Sequence, residues 1–222
     1  MAQNTPPAKL DLKKQFKHLY RPPANRVTLV DVPEMQFIMI DGRLERGESP
    51  GSSPGFAQAI GALYGVAYTL KFGSKLREVD PIDYTVMALE GLWTTPAGGA
   101  DYQTSQEWLW TLMIMQPEHI TREMFEAALE EVAAKKPSDR LAEVRFERFH
   151  EGLSVQIMHV GPYADEPATV EKMGNFARER GYRLSGPHHE IYLGDPTKAR
   201  PENLKTVLRH AVLPSGAMGP AE

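Results

Sequence analysis

The order of the patterned segments repeats along this chain of 222 residues, and the repeat constrains the fold more than any other feature. Apolar and β-branched runs predict strands, and apolar residues at three- and four-residue spacing predict helices. In the first half, a strand, a helix and two strands are predicted at residues 35–40, 56–72, 84–93 and 108–115. In the second half, the same four elements are predicted at residues 153–160, 165–181, 184–193 and 204–212. An internal duplication is the simplest explanation of this order.

The spacing of glutamate and proline supports the duplication. Glu90 lies 27 residues before Pro117, and Glu190 lies 24 residues before Pro214. Two related modules are expected to pack around a pseudo-twofold axis, and the seam between them is a common place for a small-molecule site. We therefore predict an α+β fold of two strand-helix-strand-strand modules with antiparallel sheets and a connecting helix.

The breaker-rich ends of the chain set the expected domain boundaries. Residues 1–8 and 215–222 are rich in proline, glycine and small residues, so we predict a disordered leader and a disordered tail. A single domain is expected between them at residues 9–214. Its parts are module one at about 27–117, a connecting helix and strand at 118–150, and module two at about 151–214. The first helix is expected to end at Gly73.

The composition excludes several classes of chemistry. The chain contains no cysteine, which excludes disulfides, thiolate metal sites and cysteine nucleophiles. Its formal net charge is −4, so nucleic acids and anionic membranes are not expected partners. No apolar run approaches the length of a membrane-spanning helix, and the N-terminus lacks a secretory signal pattern. We expect a cytoplasmic protein that is a monomer or a homodimer.

The segment around Glu190 is the strongest candidate for chemistry. Strand alternation places His188, Glu190 and Tyr192 on one face, and His189 with Ile191 on the other. Burial would raise the pKa of such a mid-strand glutamate and a nearby cation would lower it, so it could bind a cationic ligand or act as a general base. The alternative is an edge strand whose polar face is exposed to water.

Aromatic side chains form the second candidate group. Large rings on strands beside a cleft make flat, rigid walls that stack on planar ligands, and methionines make such a wall adaptable. The alternative is that these rings only fill the core. The candidate ligand-binding residues are Trp93, Trp108, Trp110, Tyr64, Tyr68, Met113 and His188.

No metal site and no cofactor are predicted. His188 and His189 are adjacent on a strand and face opposite ways, and no HExxH motif accompanies them. The glycines at 42, 47, 51 and 55 are not followed by Lys-Ser or Lys-Thr, so they do not form a phosphate loop. Any chemistry is therefore expected to rely on carboxylate and water.

Several segments together resemble the stand-alone GyrI-like small-molecule-binding proteins. The segments are KLDLKK at 9–14, LVDVP at 29–33, FIMIDG at 37–42, EGLW at 90–93, WTLMIMQP at 110–117, VQIMHVGPY at 155–163, DEP at 165–167 and HHEIYLGDP at 188–196. The resemblance covers about residues 9–213. It implies tandem strand-helix-strand-strand (SHS2) modules, the architecture of the effector domains of multidrug-responsive regulators and of gyrase-inhibitory proteins.

The resemblance also implies a function and a site. In these relatives a buried glutamate surrounded by aromatic rings receives hydrophobic, often cationic, ligands, and Glu190 occupies the matching position. Some stand-alone members resemble hydrolases that add water to the cyclopropane of spirocyclopropyl DNA-alkylating compounds. The positions carried over are Glu190 and Tyr192 as catalytic residues, with Trp93 and Trp110 as ligand-binding residues. A non-catalytic multidrug-binding or sequestering protein and a gyrase-interacting inhibitor remain the alternatives.

Overall fold

The computed structural model describes residues 7–98, 107–196 and 198–216. The strands in these residues are β1 (Ala8–Leu10), β2 (Thr28–Val32), β3 (Met35–Leu44), β4 (Ile82–Tyr84), β5 (Leu89–Thr94), β6 (Trp108–Gln116), β7 (Arg145–Phe149), β8 (Gly152–Val160), β9 (Tyr182–Tyr192) and β10 (Lys205–Pro214). The α-helices are α1 (Leu12–Gln15), α2 (Lys17–Tyr20), α3 (Pro54–Leu76), α4 (Arg122–Lys135) and α5 (Glu166–Glu179). Most of the predicted leader at 1–8 and of the predicted tail at 215–222 lies outside the described residues, and β1 begins at Ala8.

Over the described ranges, eight strands form one large antiparallel sheet in the order β2-β8-β10-β9-β5-β6-β3-β7. The first module contributes β5-β6-β3, and the second contributes β9-β10-β8. The strand order therefore runs outward in the same way from the central β5–β9 pair. This arrangement confirms the predicted α+β fold of two strand-helix-strand-strand modules around a pseudo-twofold axis.

The outer strands are exchanged between the modules. β2 precedes module one in the chain but pairs with β8 of module two. β7 precedes module two but pairs with β3 of module one. Each module therefore completes its sheet with a strand from the other half of the chain, which binds the two modules into one body.

The register at the seam sends two glutamates to opposite faces of the sheet. Glu90 on β5 is paired with Ile191 on β9, and Gly91 is paired with Glu190. Because directly paired residues of an antiparallel sheet share a face and successive residues alternate, Glu90 and Glu190 point in opposite directions. We call the two sides the Glu90 face and the Glu190 face.

Helices α3 and α5 pack against the Glu190 face. Phe56 of α3 contacts Trp93, which shares this face with Gly91. Met173 of α5 packs in one cluster with Leu208, the residue paired with Glu190. Among the described residues, no helix combines the length and the apolar character that crossing a membrane requires.

The Glu90 face is covered by the segment that precedes the first module. Asp11 caps α1 by accepting a hydrogen bond from the backbone N–H of Lys14 at 3.0 Å. Leu12, Leu19 and Tyr20 of this segment are buried in the main core. The segment at residues 12–20 therefore covers part of one side of the sheet. Its short, weakly periodic sequence did not indicate this role.

Two element predictions in module one were wrong. Helix α3 does not end at Gly73 but continues to Leu76, because Ser74 is buried and its hydroxyl donates to the carbonyl of Ile82 at 2.8 Å. Tyr84 does not belong to the strand that contains Trp93. It ends β4, which pairs in parallel with β1 in a separate two-stranded sheet of the described residues.

Candidate functional site

Glu190 lies at the floor of a polar and aromatic site on the Glu190 face. Strand β9 presents His188, Glu190 and Tyr192 to this face, and Trp93 of β5 is paired with His188. The Glu190 side chain retains 13% exposure, whereas the His188 side chain is fully buried. The alternation of β9 thus groups three of the predicted site residues with Trp93 at the seam between the modules.

Gly91, which has no side chain, allows Trp93 and Tyr192 to lie close to the sheet. The Trp93 indole donates a hydrogen bond from Nε1 to the Tyr192 hydroxyl at 2.9 Å. A Cβ atom built on Gly91 would lie 2.9 Å from each of these two atoms. Glycine at position 91 is therefore required for Trp93 and Tyr192 to lie over the strand beside Glu190.

Further aromatic rings extend this wall. The ring of Phe56, on α3, stacks on Trp93 at 5.7 Å between centroids and meets Trp110 edge-on at 5.2 Å. On the other side of the site, Tyr163 packs edge-on against Tyr192 at 6.2 Å. The predicted residues Trp93, Trp110 and Tyr192 therefore belong to one continuous group of contacting aromatic side chains on the Glu190 face.

Glu166, the first residue of α5, places a second carboxyl group beside Glu190. Burial, the charge of Glu190 and a hydrogen bond between the two side chains raise the pKa of Glu166 to about 9. The position at a helix N-terminus would favour a negative charge, but burial beside a like charge outweighs it. At neutral pH Glu166 therefore keeps its proton, which lies in the hydrogen bond to Glu190.

His210, the imidazole next to His188, does not supply a positive charge to the carboxyl pair. Burial and the proximity of His188 lower the pKa of His210 to about 3, so this side chain is neutral at physiological pH. His188 Nδ1 and His210 Nε2 share a hydrogen bond at 2.8 Å, while His188 Nε2 lies 3.4 Å from Glu190 Oε1. His188 is thereby held between a neutral imidazole and the candidate base.

Glu166, His188 and Glu190 together also offer the donor atoms that metals use. One ligand atom from each lies within 4.8 Å of the others. Glu166 Oε1 is buried without a hydrogen-bond partner among the described residues, so the group has an unused ligand atom, but the spacing alone does not define a metal centre. The absence of a metal site was predicted from the opposite orientations of His188 and His189, and that argument did not include Glu166.

Tyrosines of α3 lie at the rim, and two predicted residues lie apart from Glu190. Tyr64 and Tyr68 stack on each other at 6.2 Å, with Tyr64 half-buried and Tyr68 exposed. Trp108 is half-buried at the start of β6, opposite Leu44. Met113 is fully buried and paired with Glu90, so it lies on the opposite face of the sheet and does not join this site.

The opposite face of β9 carries a different polar cluster. His189 lies between two carboxylates, with Nε2 at 2.9 Å from Glu90 Oε2 and Nδ1 at 3.0 Å from Glu151 Oε2. Burial would lower the pKa of His189, but these carboxylates raise it to about 9. Burial would raise the pKa of Glu151, but His189 and Arg209 lower it to about 2. His189 and Arg209 are therefore cations, and Glu151 is a carboxylate, at neutral pH.

The segment at residues 12–20 completes this cluster. The Tyr20 hydroxyl donates to Glu90 Oε1 at 2.6 Å. Arg209 donates from Nη2 to the Leu19 carbonyl at 2.8 Å, and from Nη1 to Glu151 at 3.2 Å. The cluster is buried and extensively hydrogen-bonded, and its two cations face two glutamates, which is typical of a structural network rather than a binding site.

Sequence reasoning missed Glu166, His210, Phe56 and Tyr163 in the site. The segment Asp165-Glu166-Pro167 was interpreted only as a helix start. A glutamate at the first position of a helix that directly follows a strand and a Gly-Pro turn was the available signal, because such a helix begins at the edge of the sheet. The other three residues carried no local signal, since strand pairing brings His210 to the site and the packing of α3 and of the turn before α5 brings Phe56 and Tyr163.

Comparisons with known proteins agree with this architecture. A model of the GyrI-like small molecule binding domain matches residues 26–209. An uncharacterized conserved protein from Listeria innocua is 39% identical, with a TM-score of 0.82, and the match covers 92% of this chain and 100% of that chain. A hydrolase encoded by lin2189 from Listeria innocua is 37% identical, with a TM-score of 0.79 and the same coverage. A further structure described as a hydrolase from Listeria innocua is 36% identical, with a TM-score of 0.77 and again the same coverage. No curated protein matches the chain.

The family match spans most of the chain, and the first similar structure covers nearly all of it. The aromatic group and the carboxyl pair lie within the matched residues. The chain belongs to the GyrI-like small-molecule-binding family.

Proposed function

We propose that this protein binds flat, hydrophobic electrophiles beside Glu190 and hydrolyses the cyclopropane ring of spirocyclopropyl cyclohexadienones, a class of DNA-alkylating compounds. The observation that carries the proposal is the carboxyl pair of Glu166 and Glu190, which lies among aromatic rings and in which burial and the charge of Glu190 raise the pKa of Glu166 to about 9. The hydrolase descriptions of two relatives at 36% and 37% identity support an enzymatic role.

The rings supply the binding energy for a flat substrate. Phe56, Trp93 and Tyr192 present faces and edges that suit stacking on a planar dienone. Such contact holds the strained carbon near Glu190 and displaces bulk water. Positioning of this kind lowers the barrier by removing the entropy cost of bringing the reactants together.

The carboxyl pair supplies the base. Glu190 accepts a proton from a water molecule while the water oxygen bonds to the unsubstituted cyclopropane carbon. The strained carbon–carbon bond to the spiro centre breaks, and its electron pair enters the ring, which becomes an aromatic phenolate. The phenolate takes up a proton to give the phenol, so the sum of the reaction is addition of one water. A general base contributes about 10²- to 10⁴-fold to such a step.

Tyr192 and His188 orient the base. The Tyr192 hydroxyl accepts a hydrogen bond from Trp93 and interacts with Glu190, and burial together with the Glu190 charge raises its pKa well above 10. Tyr192 therefore stays protonated and acts as a hydrogen-bond donor. His188 Nε2, at 3.4 Å from Glu190 Oε1, limits where the carboxylate can rotate.

The direct experiment is incubation with a spirocyclopropyl cyclohexadienone. Mass spectrometry should detect the ring-opened phenol with one added water, formed faster than in buffer, and ¹⁸O-water should label the new hydroxyl. Glu190→Gln should lower the rate at least 10²-fold while it still binds the compound. Binding without any rate above buffer would leave a sequestering protein and would contradict the hydrolase.

The matched control is Glu130→Gln on α4, which removes an equal charge from another part of the chain. This variant should hydrolyse the compound at the wild-type rate. If both variants lost activity equally, the effect would be one of net charge or stability, and the assignment of Glu190 as the base would be wrong.

A further inference from the structure

A cavity opens on the Glu90 face, away from the proposed active site. Its volume is about 600 Å³, which lies within the range of small-molecule sites. Part of its wall is Tyr20 of α2, the residue whose hydroxyl donates to Glu90. Since Glu90 and Glu190 project from opposite faces, the sheet separates this cavity from the Glu190 carboxylate.

The base of the cavity is apolar and accessible. Met158, Val160 and Leu193 line it, and Val160 and Leu193 are among the large hydrophobic residues that solvent reaches. Val160 on β8 is paired with Lys205 on β10, so the apolar surface continues directly into a charged edge. A ligand that covered these side chains would gain the free energy of apolar burial.

Three cations surround this apolar base. Lys13, Arg21 and Lys205 line the cavity, and within the described part of the chain none of the three forms an ion pair with a carboxylate. No glutamate or aspartate is among the lining residues. The chain as a whole carries a net charge of −4, so three unpaired cations around one cavity are a local reversal of sign.

The cavity and the Glu190 site therefore select opposite charges. The Glu166–Glu190 pair carries negative charge and favours a neutral or cationic molecule. The cavity beside Tyr20 offers positive charge around an apolar base, which suits a molecule with a flat or aliphatic body and one anionic group. An organic anion that suits the cavity is therefore disfavoured at the Glu190 site, and a cation that suits the Glu190 site is disfavoured in the cavity.

We propose that the cavity lined by Lys13, Arg21 and Lys205 is a second ligand site that binds amphipathic organic anions, with a carboxylate or sulfonate at the cationic edge and the apolar body on Val160 and Leu193. The site is independent of the proposed hydrolysis, because it shares no residue with the Glu190 site.

The test uses 8-anilinonaphthalene-1-sulfonate, whose fluorescence rises in an apolar environment, with the full-length protein. The wild-type protein should bind this sulfonate at one saturable site, and the Glu190→Gln variant should bind it with the same affinity. The uncharged analogue N-phenyl-1-naphthylamine should bind at least 10-fold more weakly. The Lys13→Glu and Lys205→Glu double variant should weaken sulfonate binding at least 10-fold, and raised salt should weaken it in wild type.

Two further variants serve as controls. Lys136→Glu reverses an exposed charge next to the end of α4 and should change the affinity less than twofold. Val160→Glu changes an exposed side chain, so it should fold normally while it abolishes sulfonate binding. The proposal is overturned if the sulfonate does not bind, if the Lys13 and Lys205 replacements leave its affinity unchanged, or if Glu190→Gln or Trp93→Ala removes binding while Val160→Glu does not.

Discussion

Strand β9 contributes His189 and Glu190 to two clusters of glutamates on opposite sides of one sheet, and the clusters differ in how their charge is balanced. On the Glu90 face, Glu90 and Glu151 face two cations, His189 and Arg209. On the Glu190 face, Glu166 and Glu190 form no ion pair with a lysine or arginine of the described residues. The first cluster is complete without a ligand, whereas no lysine or arginine of the described residues pairs with the second.

This difference separates a structural role from a functional one. A buried charge that already has hydrogen-bonded partners stabilises the fold, and removal of one partner leaves the others uncompensated. Two buried carboxyl groups side by side destabilise each other's charged form, and pairs with such perturbed pKa values are common at functional sites. The two clusters therefore provide matched positions for substitution, on the same sheet and in adjacent register.

The largest expected contrast is between Glu90→Gln and Glu190→Gln. Glu90→Gln leaves the buried His189 cation with one carboxylate fewer and should lower the free energy of unfolding by about 3–5 kcal/mol. Glu190→Gln removes a like charge beside Glu166 and should leave the stability unchanged within about 1 kcal/mol. Urea unfolding of both variants at pH 7 measures the two values.

The reverse ranking would contradict the division of roles. If Glu190→Gln destabilised the fold as much as Glu90→Gln, then Glu190 would be a structural residue. Restored stability in Glu90→Gln combined with His189→Gln, in which the buried cation is also removed, would support the charge-balance argument.

The second contrast concerns the glycine beneath the aromatic pair. Gly91→Ala adds a methyl group 2.9 Å from both Trp93 Nε1 and the Tyr192 hydroxyl, so these groups must move. We expect ligand affinity or turnover at the Glu190 site to fall about 10²-fold, because small displacements of positioned groups have effects of this size. A binding titration and a rate measurement with the same compound check the result.

Gly73→Ala is the control for this substitution. Gly73 lies in α3, and an added Cβ would meet nothing within 4 Å. Alanine there should raise the free energy of unfolding by about 0.5–1 kcal/mol without a change in activity. Normal activity in Gly91→Ala would mean that the Trp93–Tyr192 pair does not define the site.

The sequence predicted the two faces of β9 but not what lies on each. Strand alternation is a local property with a period of two residues, so the opposite orientations of His188 and His189 followed from the sequence alone. The partners of each face come from remote segments. Tyr20 reaches Glu90 across 70 positions, and Glu166 is delivered to Glu190 by helix α5.

The same distinction explains the errors in module one. Gly73 carries a strong local helix-ending signal, yet α3 continues because Ser74 finds a hydrogen-bond partner in β4, the next strand along the chain. Met113 has the flexible, apolar side chain expected of a pocket residue, but its pairing with Glu90 places it on the other side of the sheet. The module order could be predicted since it depends on local patterns, whereas side-chain environments depend on the pairing of strands.

A smaller contrast involves one phenol on each face. Tyr20→Phe removes the hydroxyl that donates to the buried Glu90 carboxylate at 2.6 Å, and should cost about 1.5–3 kcal/mol of stability. Tyr192→Phe removes a hydroxyl from the partly accessible Glu190 site and should cost less than about 1 kcal/mol, while it lowers turnover about 10-fold. Thermal unfolding and rate measurements on both variants test the pair, and equal losses of stability would contradict the contrast.

The remaining prediction concerns the dependence of stability on pH at Glu166. The pKa of this group is raised from 4.5 to about 9 in the folded protein, so its contribution to stability is complete below pH 4.5 and is lost as the pH rises towards 9. Glutamine at position 166 does not titrate. The stability of Glu166→Gln relative to wild type should therefore increase from pH 5.5 to pH 8.5, by at most about 1.4 kcal/mol per pH unit.

His189 also loses its contribution as the pH rises to about 9, but this loss is common to both proteins and cancels in the difference. Urea unfolding at pH 5.5, 7.0 and 8.5 measures that difference, and a constant value would mean that Glu166 and Glu190 do not share a proton.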